Sequence, residues 1–250
     1  MFRQLKHGLA SVLDALISQM PDNVTLHKNS SVSAIEYQQG HQDGSFHLMI
    51  NDNTAITANN VIITTPPDCY KHWFMDDNAF DTVRQMSLGS CAITMMSFDR
   101  ASFNAELKGN GFVITRATQT PLTACTFISN KWTATVPKDR VVLRAFIGKP
   151  GDSTIANHSN AELGEIALHE LQRILHFSAK PQWVETNRLV QSIPQYTVGH
   201  LDRVAKLKQH VATTYPGLFL IGTPYGGVGM PDCIRQAKTA VERLTQEYGQ

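Results

Sequence analysis

The run Asn60-Val61-Ile62-Ile63-Thr64-Thr65-Pro66-Pro67 constrains the fold more than any other stretch of the 250-residue chain. Its consecutive β-branched residues show no polar alternation, the pattern of a strand covered on both faces and so lying inside a sheet. The two prolines end it, because proline brings no amide to a ladder. A second apolar run, Leu218-Phe219-Leu220-Ile221, leads into Gly222-Thr223-Pro224-Tyr225-Gly226-Gly227-Val228-Gly229-Met230-Pro231-Asp232-Cys233-Ile234 and then a helix expected over Asp232 to Tyr248. A strand, a glycine loop and a helix start bring unpaired first-turn N–H groups, roughly half a positive charge, next to backbone that no side chain covers. The loop matches neither G-x-x-x-x-G-K-[ST] nor G-x-G-x-x-G, so a phosphate is not the obvious guest and a neutral or partly negative heterocycle suits it better. Tight-turn packing is the competing reading of the same glycines.

The remainder divides by period. Leu9, Val12, Leu13, Leu16, Ile17 and Met20 recur at helical spacing before Pro21. Val24 to Leu26, Ser31 to Tyr37, Phe46 to Ile50 and Thr54 to Thr57 read as short strands. Ala92 to Phe98, Gly111 to Thr115, Leu122 to Ile128 and Arg140 to Ile147 read as a β-meander that forms a sheet of its own. An amphipathic helix over Leu163 to Leu175 follows, with Asn160 as the expected N-cap and Glu162 in the first turn. Val184 to Val190 reads as a strand, and the corner Ile193-Pro194-Gln195-Tyr196 leads to a helix around Asp202 to Gln209.

Several function classes drop out. With 22 Lys and Arg scattered against 21 Asp and Glu, a net charge of +1 offers no basic stripe for nucleic acid. Cys69, Cys91, Cys125 and Cys233 form no C-x-x-C pair, which argues against a zinc site or a disulfide framework and for reduced thiols in the cytoplasm. No apolar run approaches the roughly 20 residues that span a bilayer. The histidines show no H-x-x-x-H pair, and no serine sits in a G-x-S-x-G elbow. His200 is expected to be structural.

Several ordered motifs resemble the flavin-dependent protoporphyrinogen and coproporphyrinogen oxidases of the flavin amine oxidase superfamily. They are Phe2-Arg3 with Gly8-Leu9-Ala10-Ser11-Val12-Leu13, Val61-Ile62-Ile63-Thr64-Thr65-Pro66, Lys131-Trp132 with Pro137, Leu143-Arg144-Ala145-Phe146-Ile147-Gly148, Ile193-Pro194-Gln195-Tyr196 with Val198-Gly199-His200, and Tyr225 to Ile234. The resemblance implies an α/β plus α+β protein: a partial FAD-binding, Rossmann-like domain (1–66 and 187–250) with an inserted, mainly antiparallel β-sheet substrate domain (67–186). It implies FAD-dependent, O2-consuming oxidation of a porphyrinogen, protoporphyrinogen IX or coproporphyrinogen III, in heme biosynthesis. It places Val228, Gly229 and Met230 against the flavin ring and Val32 against the adenine. Gly111, Val113, Thr126 and Phe146 match positions lining the tetrapyrrole pocket, with ordinary core packing as the competing reading of each. No metal and no catalytic side chain are implied, since hydride transfer from a bridging carbon to flavin asks for contact more than for a base.

The family opens with a G-x-G-x-x-G loop that this sequence lacks, so the chain is expected to be a C-terminal portion lacking the pyrophosphate cradle and much of the family's membrane-binding surface. Peripheral membrane association of the full-length enzyme, a homodimer and a complementing N-terminal piece are the partner expectations that follow. A non-catalytic tetrapyrrole-binding remnant and another flavin amine oxidase or desaturase stay open as alternatives.

Overall fold

The computed structural model describes residues 5, 7–40, 44–149 and 154–248, which fall into two compact units. Unit 1 comprises Gly89–Gln191 with the described part of Met1–Thr25, and unit 2 comprises Leu26–Leu88 with Ser192–Gln250 as far as it is described. The strands are β1 (Val32–Gln38), β2 (Ser45–Ile50), β3 (Thr54–Ala58), β4 (Val61–Ile63), β5 (Leu88–Asp99), β6 (Gly111–Val113), β7 (Leu122–Phe127), β8 (Arg140–Ile147), β9 (Trp183–Pro194) and β10 (Leu218–Leu220). The four long helices are α1 (Ala10–Ser18), α2 (Asn160–Leu175), α3 (His200–Thr214) and α4 (Met230–Tyr248).

Unit 1 is built on a five-stranded sheet in the order β6-β7-β8-β5-β9, with antiparallel pairing at β6/β7, β7/β8 and β8/β5. Strict alternation in β5 and β8 turns Ala92, Met96, Phe98, Val141, Leu143, Ala145 and Ile147 to one face. There they pack with Leu163, Ala167 and Leu171 of α2 in one closed core. Val142, Arg144 and Phe146 turn to the other face and are only half-buried. Helix α2 starts one residue earlier than its sequence suggested: the N-cap is Ser159, not Asn160. The Ser159 Oγ accepts from the Glu162 amide at 3.3 Å while Glu162 Oε2 accepts from the Ser159 amide at 2.7 Å, a reciprocal capping box. The helix read over Leu9 to Met20 is present as α1, but none of its residues is buried.

Unit 2 holds the antiparallel sheet β1-β2-β3 and the parallel pair β4/β10. The two apolar runs that opened the sequence argument are therefore neighbours, Leu218 opposite Val61 and Leu220 opposite Ile63. All three residues of β10 are buried, yet Ile62 of β4 is 37% exposed, so among the described residues β4 is covered on one face only. Val24 to Leu26, expected as a strand, has no ladder partner and lies outside any strand.

The units divide near 25, 88 and 191, whereas the sequence placed boundaries after 66 and 186 and kept all of 1–66 in the FAD-binding part; the described part of 1–25 groups with unit 1 instead. The later boundary at 88 has its reason in residues 67–88, which carry Tyr70, Phe74, Phe80 and Val83 into the core formed by Val61, Ile63, Leu207, Val211, Leu218 and Leu220. Phe74 and Phe80 stack with centroids 4.1 Å apart, and the edge of Tyr215 meets both. Asp77 anchors this segment. His210 Nε2 lies 2.7 Å and the Tyr215 hydroxyl 3.0 Å from its Oδ2, and the Ala79 amide donates to its Oδ1. Burial pushes the Asp77 carboxyl up, but those three hydrogen bonds outweigh it and hold the group below the usual carboxylate range.

A depressed folded-state pKa gives stability that is present above the unfolded value, about 4, and is lost as pH falls through the folded value. Asp77→Asn is therefore expected to lower stability at neutral pH by about 1–3 kcal/mol. The gap to the parent chain should narrow as acid protonates Asp77. Urea unfolding at a series of pH values checks this, and a pH-independent gap would show that the carboxylate charge plays no part.

Candidate functional site

The glycine loop follows β10 directly. Gly222 adopts φ +120°, a conformation that side chains disfavour, and its amide donates to Gln236 Oε1 at 3.2 Å. Residues Thr223–Gly226 make one helical turn, and Gly227 again takes a positive φ of +118°. The neighbours of the missing Cβ atoms correct the sequence argument about bare backbone. A Cβ on Gly226 would come within 2.7 Å of the Gln236 side chain, one on Gly227 within 2.7 Å of Asp232 Oδ2, and one on Gly229 within 2.9 Å of the same oxygen. The first turns of α4 fold back over their own loop; Gly227 is needed there because its φ is positive as well, whereas the atoms facing Gly226 and Gly229 are ends of side chains that can move. Asp232 favours the positive end of α4 and is neutralised by Arg235.

What the loop leaves open is narrower than the sequence suggested. Val228 and Met230 hold their side chains 58% and 59% exposed, and among the described residues no protein group accepts from the amides of Val228 or Gly229. The three expected ring-contact residues are thus consecutive, with Val228 and Met230 exposed and Gly229 half-buried between them, and they lead into a 19-residue helix that begins at Met230. Val32, the expected adenine contact, stands elsewhere in unit 2. It opens β1 opposite Ile50 and is half-buried against the core, next to Ser31, whose amide donates to Asn51 Oδ1 and whose carbonyl accepts from the Asn51 amide. No described hydrogen bond joins it to the loop.

The corner Ile193 to Tyr196 and the glycine loop, two separate motifs in the sequence, touch in space. Tyr196 donates its hydroxyl to the Thr223 carbonyl, and its ring stacks on His200 with centroids 4.4 Å apart. His200 is buried at the start of α3, just after Gly199 at φ +77°. It serves as a stacking partner that fixes the tyrosine, consistent with its structural reading. Tyr196 was not among the expected site residues. The signal for it was the spacing of a tyrosine one corner away from a glycine loop, which no periodicity argument ranks.

In unit 1 the four expected substrate residues come together. Register pairs Gly111 with Thr126 and Thr126 with Arg144, and Arg144 faces Met95. The next row runs Val113, Ala124, Phe146 and Ile93 across the same strands. All therefore lie on the half-exposed face, opposite the α2 core, with Val113 83% exposed. Gly111 is also structural: at φ +142° its α-carbon lies so close to β7 that a Cβ would meet the Cys125 carbonyl oxygen at 2.2 Å. A groove of about 560 Å³ continues this face past Met95, Ser97, Val142 and Arg144 to Trp132 and Trp183. Arg144, passed over in the sequence, presents its guanidinium carbon 5.2 Å from the centre of the Phe146 ring.

Comparison with known proteins gives these features a context. The family model described as flavin containing amine oxidoreductase matches residues 2–245. The chain belongs to the flavin-containing amine oxidoreductases. A coproporphyrinogen III oxidase from Staphylococcus aureus is 36% identical over 247 residues, which is 98% of this chain and 52% of that protein. A crystal structure from Exiguobacterium, provisionally assigned as a protoporphyrinogen oxidase, superposes with a TM-score of 0.88 at 32% identity, covering 98% of this chain and 52% of that one. Reduced UDP-galactopyranose mutase superposes with a TM-score of 0.74 at 13% identity, a likeness of fold alone. The chain thus spans about half the length of the relatives it matches.

The family is one of flavin-containing oxidoreductases, and FAD is the cofactor that goes with it. The loop fits the ring end of such a group. Unpartnered amides at Val228 and Gly229 and the start of α4 offer donors to ring carbonyls, and exposed Val228 and Met230 offer apolar contact. Nothing comparable serves the pyrophosphate, because the sequence holds no G-x-G-x-x-G cradle. Among the described residues no helix is long and apolar enough to cross a membrane.

Proposed function

We propose that this chain supplies the substrate-binding sheet and the ring-facing loop of an FAD-dependent porphyrinogen oxidase, which converts coproporphyrinogen III or protoporphyrinogen IX to the porphyrin. The observation that carries this reading is the gathering of Gly111, Val113, Thr126 and Phe146 on one open sheet face, in a chain whose match to a coproporphyrinogen III oxidase runs along 98% of its length. A flat apolar face about three strands wide suits a macrocycle better than a small amine.

FAD, held at its ring end by Val228 to Met230, would supply two-electron oxidation chemistry, with O2 as the final acceptor. The protein's own part is positional. Val228 to Met230 would hold the ring end, Tyr196 would fix the loop through Thr223, and the open face would hold the macrocycle flat while excluding water. Val32 would meet the adenine through its backbone.

The cradle for the pyrophosphate would come from the part of the relatives' length that lies outside this chain. Its docking place would be the free edge of β10, where Gly217 to Ile221 line a groove of about 500 Å³ between α3 and α4. A two-stranded parallel sheet is unusual on its own, and an added strand would complete it.

Purified chain, coproporphyrinogen III and FAD in air provide the test, read by porphyrin fluorescence above the autoxidation background. Porphyrin should appear faster only when FAD is added, and the FAD needed should far exceed the protein concentration. Each missing charge-assisted bond to the pyrophosphate removes about 1.5–3 kcal/mol of affinity. An identical rate with and without FAD at every concentration contradicts the proposal.

A further inference from the structure

We propose that Arg144 is the carboxylate anchor of the open sheet face, and that the face selects flat amphipathic acids over their neutral analogues. The identity of the acid, a porphyrin carrying propionate groups, rests on the porphyrinogen reading; the anion preference itself does not.

Arg144 lies in the row Gly111–Thr126–Arg144–Met95, so it adjoins the proposed substrate contacts Thr126 and Phe146 on the same face. Its Nε is buried without a hydrogen-bond partner, and no described carboxylate or carbonyl accepts from its guanidinium. Leaving such a donor unpaired is costly unless something arriving from outside satisfies the group. The groove wall supplies no counter-charge. Its lining is mostly Met95, Val142, Pro137, Trp132 and Trp183, with no Asp or Glu, and Arg144 carries the one formal charge in it. The guanidinium carbon lies 5.2 Å from the centre of the Phe146 ring, a cation–π contact that keeps the charge over this face, and a guanidinium can take a carboxylate in a forked geometry. An apolar wall with one oriented cation is complementary to a molecule with a flat apolar body and an acidic side arm.

The test is a fluorescence titration of the whole chain with coproporphyrin III and with its methyl ester, and in parallel with 1-pyrenebutyrate and 1-pyrenebutanol. Each is repeated on Arg144→Leu and Arg144→Lys, with circular dichroism confirming that both variants fold. The parent chain should favour each acid over its neutral analogue by about tenfold or more, the scale of one charge-assisted hydrogen bond. Arg144→Leu should erase the preference, and Arg144→Lys should keep part of it. A folded Arg144→Leu chain that retains the preference overturns the proposal, as does a parent chain that prefers neither acid. If pyrenebutyrate binds with Arg144-dependent preference while no porphyrin binds, the anchor stands and the porphyrinogen reading falls.

Discussion

Leu143→Ala is expected to lower the unfolding free energy by about 2–5 kcal/mol while leaving the chemistry of the open face unaltered. Leu143 is fully buried among Met96, Leu163 and Leu171, and truncating it leaves a cavity between sheet and helix that close packing cannot refill. Phe146→Ala, three residues along the same strand, is expected to do the reverse. It should cost about 1 kcal/mol of stability and weaken porphyrin binding at least about tenfold, the scale of losing one aromatic contact surface. Urea unfolding and a porphyrin titration on both variants separate the faces. Equal stability losses for the two, or equal binding losses, would show that the sheet does not divide its labour by alternation.

Gly111→Ala is expected to cost about 2–4 kcal/mol, more than a half-exposed edge position normally does. Holding a non-glycine residue at φ +142° costs about 1–3 kcal/mol. The new methyl group would in addition meet the Cys125 carbonyl oxygen at 2.2 Å, a backbone atom that cannot step aside without loosening β6 from β7. Hydrogen exchange should then accelerate at the amides of the β6/β7 ladder while α2 keeps its protection. Unchanged exchange along β6 and β7 would mean that Gly111 is replaceable and that only its place on the open face counts.

Local period and turn chemistry made much of this fold readable. β8 matches its expected span, Arg140 to Ile147, because alternating burial is written directly into Arg-Val-Val-Leu-Arg-Ala-Phe-Ile. The apolar runs at Val61 and Leu218 were legible as strands, but that they pair in parallel is shown only by the register. Harder to read were features set by distant contacts. Residues 67–88 carry no period that says which core will take them; Phe74, Phe80 and Tyr215 decide it by stacking across more than a hundred residues of sequence. The cap of α2 slipped by one residue because Ser159 and Asn160 are both good caps, and only the return bond from Glu162 chooses between them.

The candidate site divides in the same way. Gly111, Val113, Thr126 and Phe146 were legible through a resemblance, and alternation explains why they share a face. Arg144 was hidden in that same alternation: a charge inside an apolar strand reads as solvent-facing until register shows which residues flank it. The glycines of the loop were legible as glycines but not in their use. Asp232 and Gln236 occupy the space that a ligand seemed to require, a fact fixed by where α4 begins and invisible to spacing.

Titration of coproporphyrin III into the purified chain bears most directly on the central claim that this sheet face holds a tetrapyrrole. Saturable binding is expected, weakened by Phe146→Ala and untouched by a substitution on the exposed surface of α1 such as Leu13→Ala. Absence of binding, or binding that Phe146→Ala leaves unchanged, would contradict it.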